Sequence, residues 1–131
     1  KNVLQSQKLP RMLNQETQTL NTLEISVLVK LGGTAGLASP LVKRVVVLFQ
    51  QEANTMVDGI STALANTDLE QVFRLAHSLK SSSLAIGAYA LADIAKQIEY
   101  AAKRQQDMQL HDLIKSLRVD YQQLVRILAG L

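Results

Sequence analysis

From residue 39 onward, apolar side chains recur at spacings of three and four, the signature of helices with one buried face. Ser39-Pro40 supplies a cap followed by proline at the first helical position. The helix it opens is predicted to run to about Leu64, with Leu41, Val45, Leu48, Phe49, Met56, Ile60 and Leu64 as its apolar stripe. Thr67-Asp68-Leu69-Glu70 has capping-box spacing and starts a second helix, ending near Leu84 or Ala85. Gly87 begins a turn. A third helix, about Ala88 to Gln105, buries Leu91, Ile94, Ala95, Ile98 and Ala102. A fourth, about Leu110 to Leu128, presents Leu110, Leu113, Leu117, Tyr121, Leu124 and Leu128. Ahead of these, Asn21 and Glu24 form a further capping box for a short helix from about Thr22 to Leu31, stopped by Gly32-Gly33. Gly32 to Ala38 reads as a loop.

The pattern predicts an all-α fold: an antiparallel up-down four-helix bundle with an additional short N-terminal helix. Residues 21–131 form the bundle, and the polar, Gln/Asn-rich residues 1–20, interrupted by Pro10, form a linker or a peripheral helix. Composition agrees. Hydrophobic residues make up 47% of the 131, enough for a core, but aromatics only 4%, so Leu, Ile, Val and Ala must fill it. There is no cysteine, which removes disulfides, thiol nucleophiles and zinc-thiolate sites. No apolar run approaches the ~20 residues of a membrane span. A net charge of +3, scattered along the chain with no basic stripe among aromatics, argues against nucleic acid as a partner.

The candidate chemistry lies in the second helix. On a helical wheel Val72, Leu75, Ala76, Leu79 and Ile86 share one arc, and His77 falls opposite its middle, on the face turned to solvent. Lys80 follows one turn later, then Ser81, Ser82 and Ser83, then Gly87. A neutral imidazole is a good nucleophile near physiological pH. An ammonium at i+3 can reach an anionic group carried on that ring. Ser81 at i+4 adds little bulk, so a partner could approach closely. Phe73 and Leu84 share the exposed stripe, with Glu70 and Arg74 beside them, and exposed apolar groups around a reactive side chain suggest docking. Ser82 and Ser83 turn inward and suit a tight helix crossing. No second histidine or carboxylate cluster stands near His77 to bind a metal. His111, the other histidine, reads as a surface residue.

In the order Ala76, His77, Leu79, Lys80, Ser82, Ser83, Gly87, Leu91 and Glu99, the chain resembles the histidine phosphotransfer (HPt) domain over about residues 73–103. It departs at Ser81, where that family usually has glycine; serine keeps the position small. The resemblance implies that His77 is the phospho-acceptor and that Lys80 steadies the phosphoryl group. It also implies that Glu99 accepts a hydrogen bond from the inner nitrogen of His77, fixing the tautomer. Phe73, Arg74, Ser81 and Leu84 would then form the docking surface, and Gly87 the structural turn.

The function expected is that of a phosphorelay intermediate. His77 takes a phosphoryl group from a receiver-domain aspartate and passes it to another receiver. The chain carries no Gly-rich phosphate loop and no kinase boxes, so no autonomous kinase activity is expected. No cofactor is expected either, magnesium being supplied by the partner receiver. The chain begins at Lys1 rather than Met, which suits the C-terminal module of a bacterial hybrid sensor histidine kinase. The expected state is a cytoplasmic monomer, free or tethered to the inner membrane through a parent kinase. The rival reading is a non-catalytic four-helix interaction module that carries no phosphate.

Overall fold

A computed structural model of the chain describes residues 21–131. The linker or peripheral helix expected over residues 1–20 lies outside the described residues. Five α-helices follow in order: α1 (Ile25–Leu31), α2 (Pro40–Ala65), α3 (Leu69–Ile86), α4 (Tyr89–Lys103) and α5 (Asp107–Ala129). Between α1 and α2, residues Gly33–Ala38 wind as 3-10 turns kinked at Gly36, in place of the plain loop expected. Each long helix packs on the next, and α2 closes the ring against α5. The all-α bundle read from the periodicity is therefore the fold observed.

The caps explain most boundaries. Ser39 accepts a hydrogen bond from the Leu41 backbone N–H at 3.2 Å, with Pro40 at the first helical position. At the α2–α3 corner the cap is Asp68 rather than Thr67. Its carboxylate accepts from Gln71 N–H at 3.1 Å. Thr67 cannot cap because it holds the left-handed conformation (φ 56°) that turns the chain out of α2. The expected box at Asn21 also resolves differently. Asn21 donates its side-chain amide to Glu24 Oε1 at 2.6 Å. The backbone of 21–24 is engaged elsewhere: Glu24 N–H donates to Gly87 O at 2.8 Å, and Ala90 N–H to Asn21 O at 2.9 Å. This strap lashes the entry of α1 to the α3–α4 turn, and α1 starts three residues later than predicted.

The core is aliphatic. Leu28, Ile60, Leu79, Leu91, Ile98, Leu110, Leu117 and Leu124 are fully enclosed. In α2 the buried stripe is Val42, Phe49, Ala53, Met56, Val57, Ile60 and Ala63. The expectation for Leu41 and Leu48 fails: they stay 50% and 49% exposed. The apolar run Val45 to Phe49 fills every side of that helix, so spacing alone could not tell the inner face from the outer. In α5, Ile114 takes the buried place expected of Leu113, which is half-buried.

Two glycines allow close approach. At Gly87 φ is +84°, and an added Cβ would meet Glu24 O at 2.8 Å, so the turn needs glycine on both counts. At Gly59, on α2, an added Cβ would meet Leu75 Cδ1 at 2.9 Å, so α2 and α3 pack closely around that side chain.

Candidate functional site

Helix α3 presents His77 outward because Val72, Ala76, Leu79, Ser83 and Ile86 occupy its buried face. The imidazole is 58% exposed. Helix α4 is fixed by Leu91, Ala95, Ile98 and Ala102 in the core, which sets Glu99 at the seam between the two helices. Glu99 is only 14% exposed, and each of its oxygens has one task. Oε2 lies 2.7 Å from His77 Nδ1, and Oε1 lies 2.8 Å from Lys80 Nζ. Lys80 itself is 26% exposed, its stem laid along the α3–α4 seam and its ammonium turned back to the carboxylate.

Burial alone would raise the Glu99 carboxyl. The contacts from Lys80 and then His77, with the charges behind them, outweigh burial and hold it below the usual carboxylate range. Glu99 is therefore an anion at neutral pH. Facing an anion at 2.7 Å, His77 Nδ1 must carry the ring proton and donate it. The Nε2 lone pair is then left for chemistry on the exposed side. Neither Lys96 nor Lys103, the lysines nearest to Glu99 along α4, is paired with it; its partners come from α3.

The rest of the exposed stripe is as follows. Phe73 is half-buried against the core and stacks on His77, with ring centroids 6.3 Å apart and planes 15° from parallel. This contact limits how far the imidazole can rotate. Arg74 is exposed and paired with Glu70 at 2.9 Å on the same helix. Ser81 is exposed and Leu84 is 51% exposed, one and two turns beyond His77. Ser82 is half-buried and Ser83 wholly buried, where a small side chain lets helices cross closely. Among the described residues the Ser83 hydroxyl has no hydrogen-bond partner. The histidine ridge stands between two grooves. One lies toward α2, lined by Gln51, Glu52, Thr55, Met56, Ser78 and Ser82. The other lies toward α4, lined by Lys80, Leu84, Tyr89, Ala92, Asp93 and Lys96.

Two features escape a reading of the sequence: the Phe73–His77 stack and the pairing of Lys80 with Glu99. The i−4 spacing of Phe73 held a signal for the first. The second depends on the relative rotation of two helices, which no local pattern carries. Among the described residues no group of three or more His, Cys, Asp or Glu side chains could hold a metal ion, and no helix is long and apolar enough to cross a membrane. His111 is exposed at the start of α5.

What the arrangement can do is specific. It offers an exposed imidazole nitrogen with its lone pair outward, a cation one helical turn away, and a flat approach over Ser81. The pockets flanking the ridge are open surface grooves, lined on one side by Met56, Ser78 and Ser82 and on the other by Lys80, Leu84 and Tyr89. Compared with known families, residues 44–127 match the Hpt domain model. No curated protein and no solved structure matches the chain.

Proposed function

The chain belongs to the Hpt domain family, whose members serve phosphotransfer in phosphorelay signalling and interact with receiver domains, and we propose that His77 is its phospho-acceptor. In this reading a receiver aspartyl phosphate is approached by His77 Nε2, the phosphoryl group rests on that nitrogen, and a second receiver collects it. Lys80 neutralises charge on the phosphoryl oxygens. Glu99 fixes the tautomer and supports the positive charge that the ring acquires. Phosphoryl transfer asks mainly for positioning and charge stabilisation, which is what these three side chains provide.

The observation that carries the reading is the contact of Glu99 Oε2 with His77 Nδ1 at 2.7 Å on an otherwise exposed ring. A merely solvated histidine would have no need of a carboxylate anchored at a helix seam. Phe73, Arg74, Ser81 and Leu84 receive the receiver. The domain acts as a monomer on the cytoplasmic side, as a module of a hybrid sensor kinase, and the receiver supplies magnesium from its own acidic site.

The test is incubation of the purified domain with a receiver phosphorylated on its aspartate. Acid-labile, base-stable phosphate should appear on the peptide containing His77. A domain that binds the receiver yet gains no such phosphate would be the non-catalytic interaction module instead.

A further inference from the structure

The phosphorelay reading, on which this inference rests, assigns Lys80 to the phosphoryl group. In the unphosphorylated domain Lys80 is already engaged, 2.8 Å from Glu99 Oε1. Oε1 is buried, and the Lys80 ammonium is the close partner it has there. The other oxygen of the same carboxylate faces His77. One anion is thus shared between the imidazole and the ammonium.

We propose that Lys80 changes partner when His77 is phosphorylated, leaving Glu99 Oε1 for a phosphoryl oxygen, and that Glu99 is the positioning residue that holds the lysine until then. The balance of charge favours it. The Nε2 lone pair forms the new N–P bond as the P–O bond to the receiver aspartate breaks, and that bond's electron pair leaves on the carboxylate oxygen. Nδ1 keeps its proton, so the ring becomes cationic while still facing Glu99. The carboxylate now has a full positive partner at 2.7 Å and no longer needs the ammonium. The incoming phosphoryl group brings about two negative charges on the exposed side. The lysine, flexible and one turn from the histidine, is a cation that can swing out to answer them. After the exchange each negative group has its own positive partner. When the phosphoryl group departs, the ring turns neutral and the carboxylate takes the lysine back. Glu99 therefore couples the charge of the ring to the position of the lysine, which makes the cation available only in the state that needs it.

The test uses the complete domain with lysine side chains labelled with nitrogen-15, and phosphoramidate as a receiver-free donor that releases ammonia as it phosphorylates His77. The Lys80 Nζ signal, assigned by its absence from Lys80→Met, should shift on phosphorylation and acquire a through-hydrogen-bond coupling to phosphorus-31. A Lys80 signal that stays unchanged while His77 is phosphorylated overturns the partner exchange and leaves the phosphorelay reading intact. Absence of phosphate on His77 overturns the phosphorelay reading itself. Equilibrium occupancy of His77 gives a second measure. Lys80→Met should lower occupancy roughly fivefold more in a Glu99→Gln background than in the natural one, because there the lysine has no carboxylate to leave. Equal losses in the two backgrounds would also refute the exchange.

Discussion

Among the described residues the bundle contains two groups of cation–carboxylate contacts across helix seams, and they differ in almost everything except chemistry. Between α3 and α4, Lys80 and His77 share Glu99 at 2.8 and 2.7 Å, and the carboxylate is 14% exposed. Between α2 and α5, Arg118 approaches Asp58 at 3.5 Å and donates to the Ser61 hydroxyl at 2.8 Å, with the aspartate 75% exposed. The first group is shielded on one side by packed helices and open on the other at the imidazole and, to a lesser degree, at the lysine. The second lies in water. A buried carboxylate must be compensated, so its partners are held in one geometry. An exposed one gains little from its partner and fixes little. The difference separates a seam whose partly buried carboxylate holds its partners in one geometry from a seam whose charges lie in water.

The sharpest break of that comparison is at the histidine itself. His77→Gln should abolish acceptance of phosphate, while His111→Gln should retain it in full. The glutamine amide introduced by His77→Gln can still offer an N–H to Glu99, and the position is exposed, so stability should change by no more than about 0.5 kcal/mol. Phosphate labelling beside a thermal melt checks both halves. Labelling of His77→Gln on histidine would move the acceptor to His111 and end the present assignment.

Next in size is Gly87→Ala, at the turn that sets α3 against α4. The substitution forces a side chain into φ +84° and drives its Cβ to 2.8 Å from the Glu24 carbonyl oxygen, a backbone atom. The expected cost is about 2 kcal/mol, combining backbone strain and the displaced strap. Gly59→Ala, whose Cβ would meet the end of the Leu75 side chain, should cost less because that group can rotate away. Urea unfolding of the two variants ranks them, and an equal loss would show that the strap contributes nothing.

Acid should dissolve the α3–α4 group. The Glu99 carboxyl sits below its ordinary range in the folded protein. A depressed carboxyl adds stability that is fully present above its unfolded value, about 4.3, and is lost as pH falls through the lower folded value. At neutral pH the natural domain should exceed Glu99→Gln in stability by about 1 kcal/mol. That gap should close as pH drops below about 4. A gap independent of pH would mean that the carboxylate's charge plays no part.

Much of this is legible in the sequence, and the losses have physical causes. Helix number, order and the Ser39-Pro40 cap follow from local chemistry that acts within one turn. His77 can be placed outward because its helix has a clean apolar arc. Leu48 escapes correct placement because the run Val45 to Phe49 is apolar on every side, and Leu41 because the adjacent Val42 takes the buried place in the first turn. Thr67 reads as a cap because capping chemistry suits Thr and Asp alike, and only the corner's backbone conformation chooses between them. Glu99 is found through a family resemblance. Its grip on Lys80 is not, since that depends on how two helices rotate against each other when Ala95, Ile98 and Ala102 seat in the core.

The smallest effect expected is at the other seam, and it completes the comparison. Arg118→Ala removes the long contact to Asp58 and the hydrogen bond to Ser61. Both carboxylate and guanidinium are well exposed, so water replaces the lost partner at once and no buried charge is stranded. The side chain also gives up the rotamer restriction that the contact imposed, which offsets part of the loss. The change in stability should be within about 0.5 kcal/mol, and phosphate acceptance on His77 should be untouched. Chemical denaturation and the labelling assay, run side by side, read both quantities. A loss of labelling here would mean that receivers contact α5 as well as the His77 ridge, and the contrast between a working seam and a closing seam would fail.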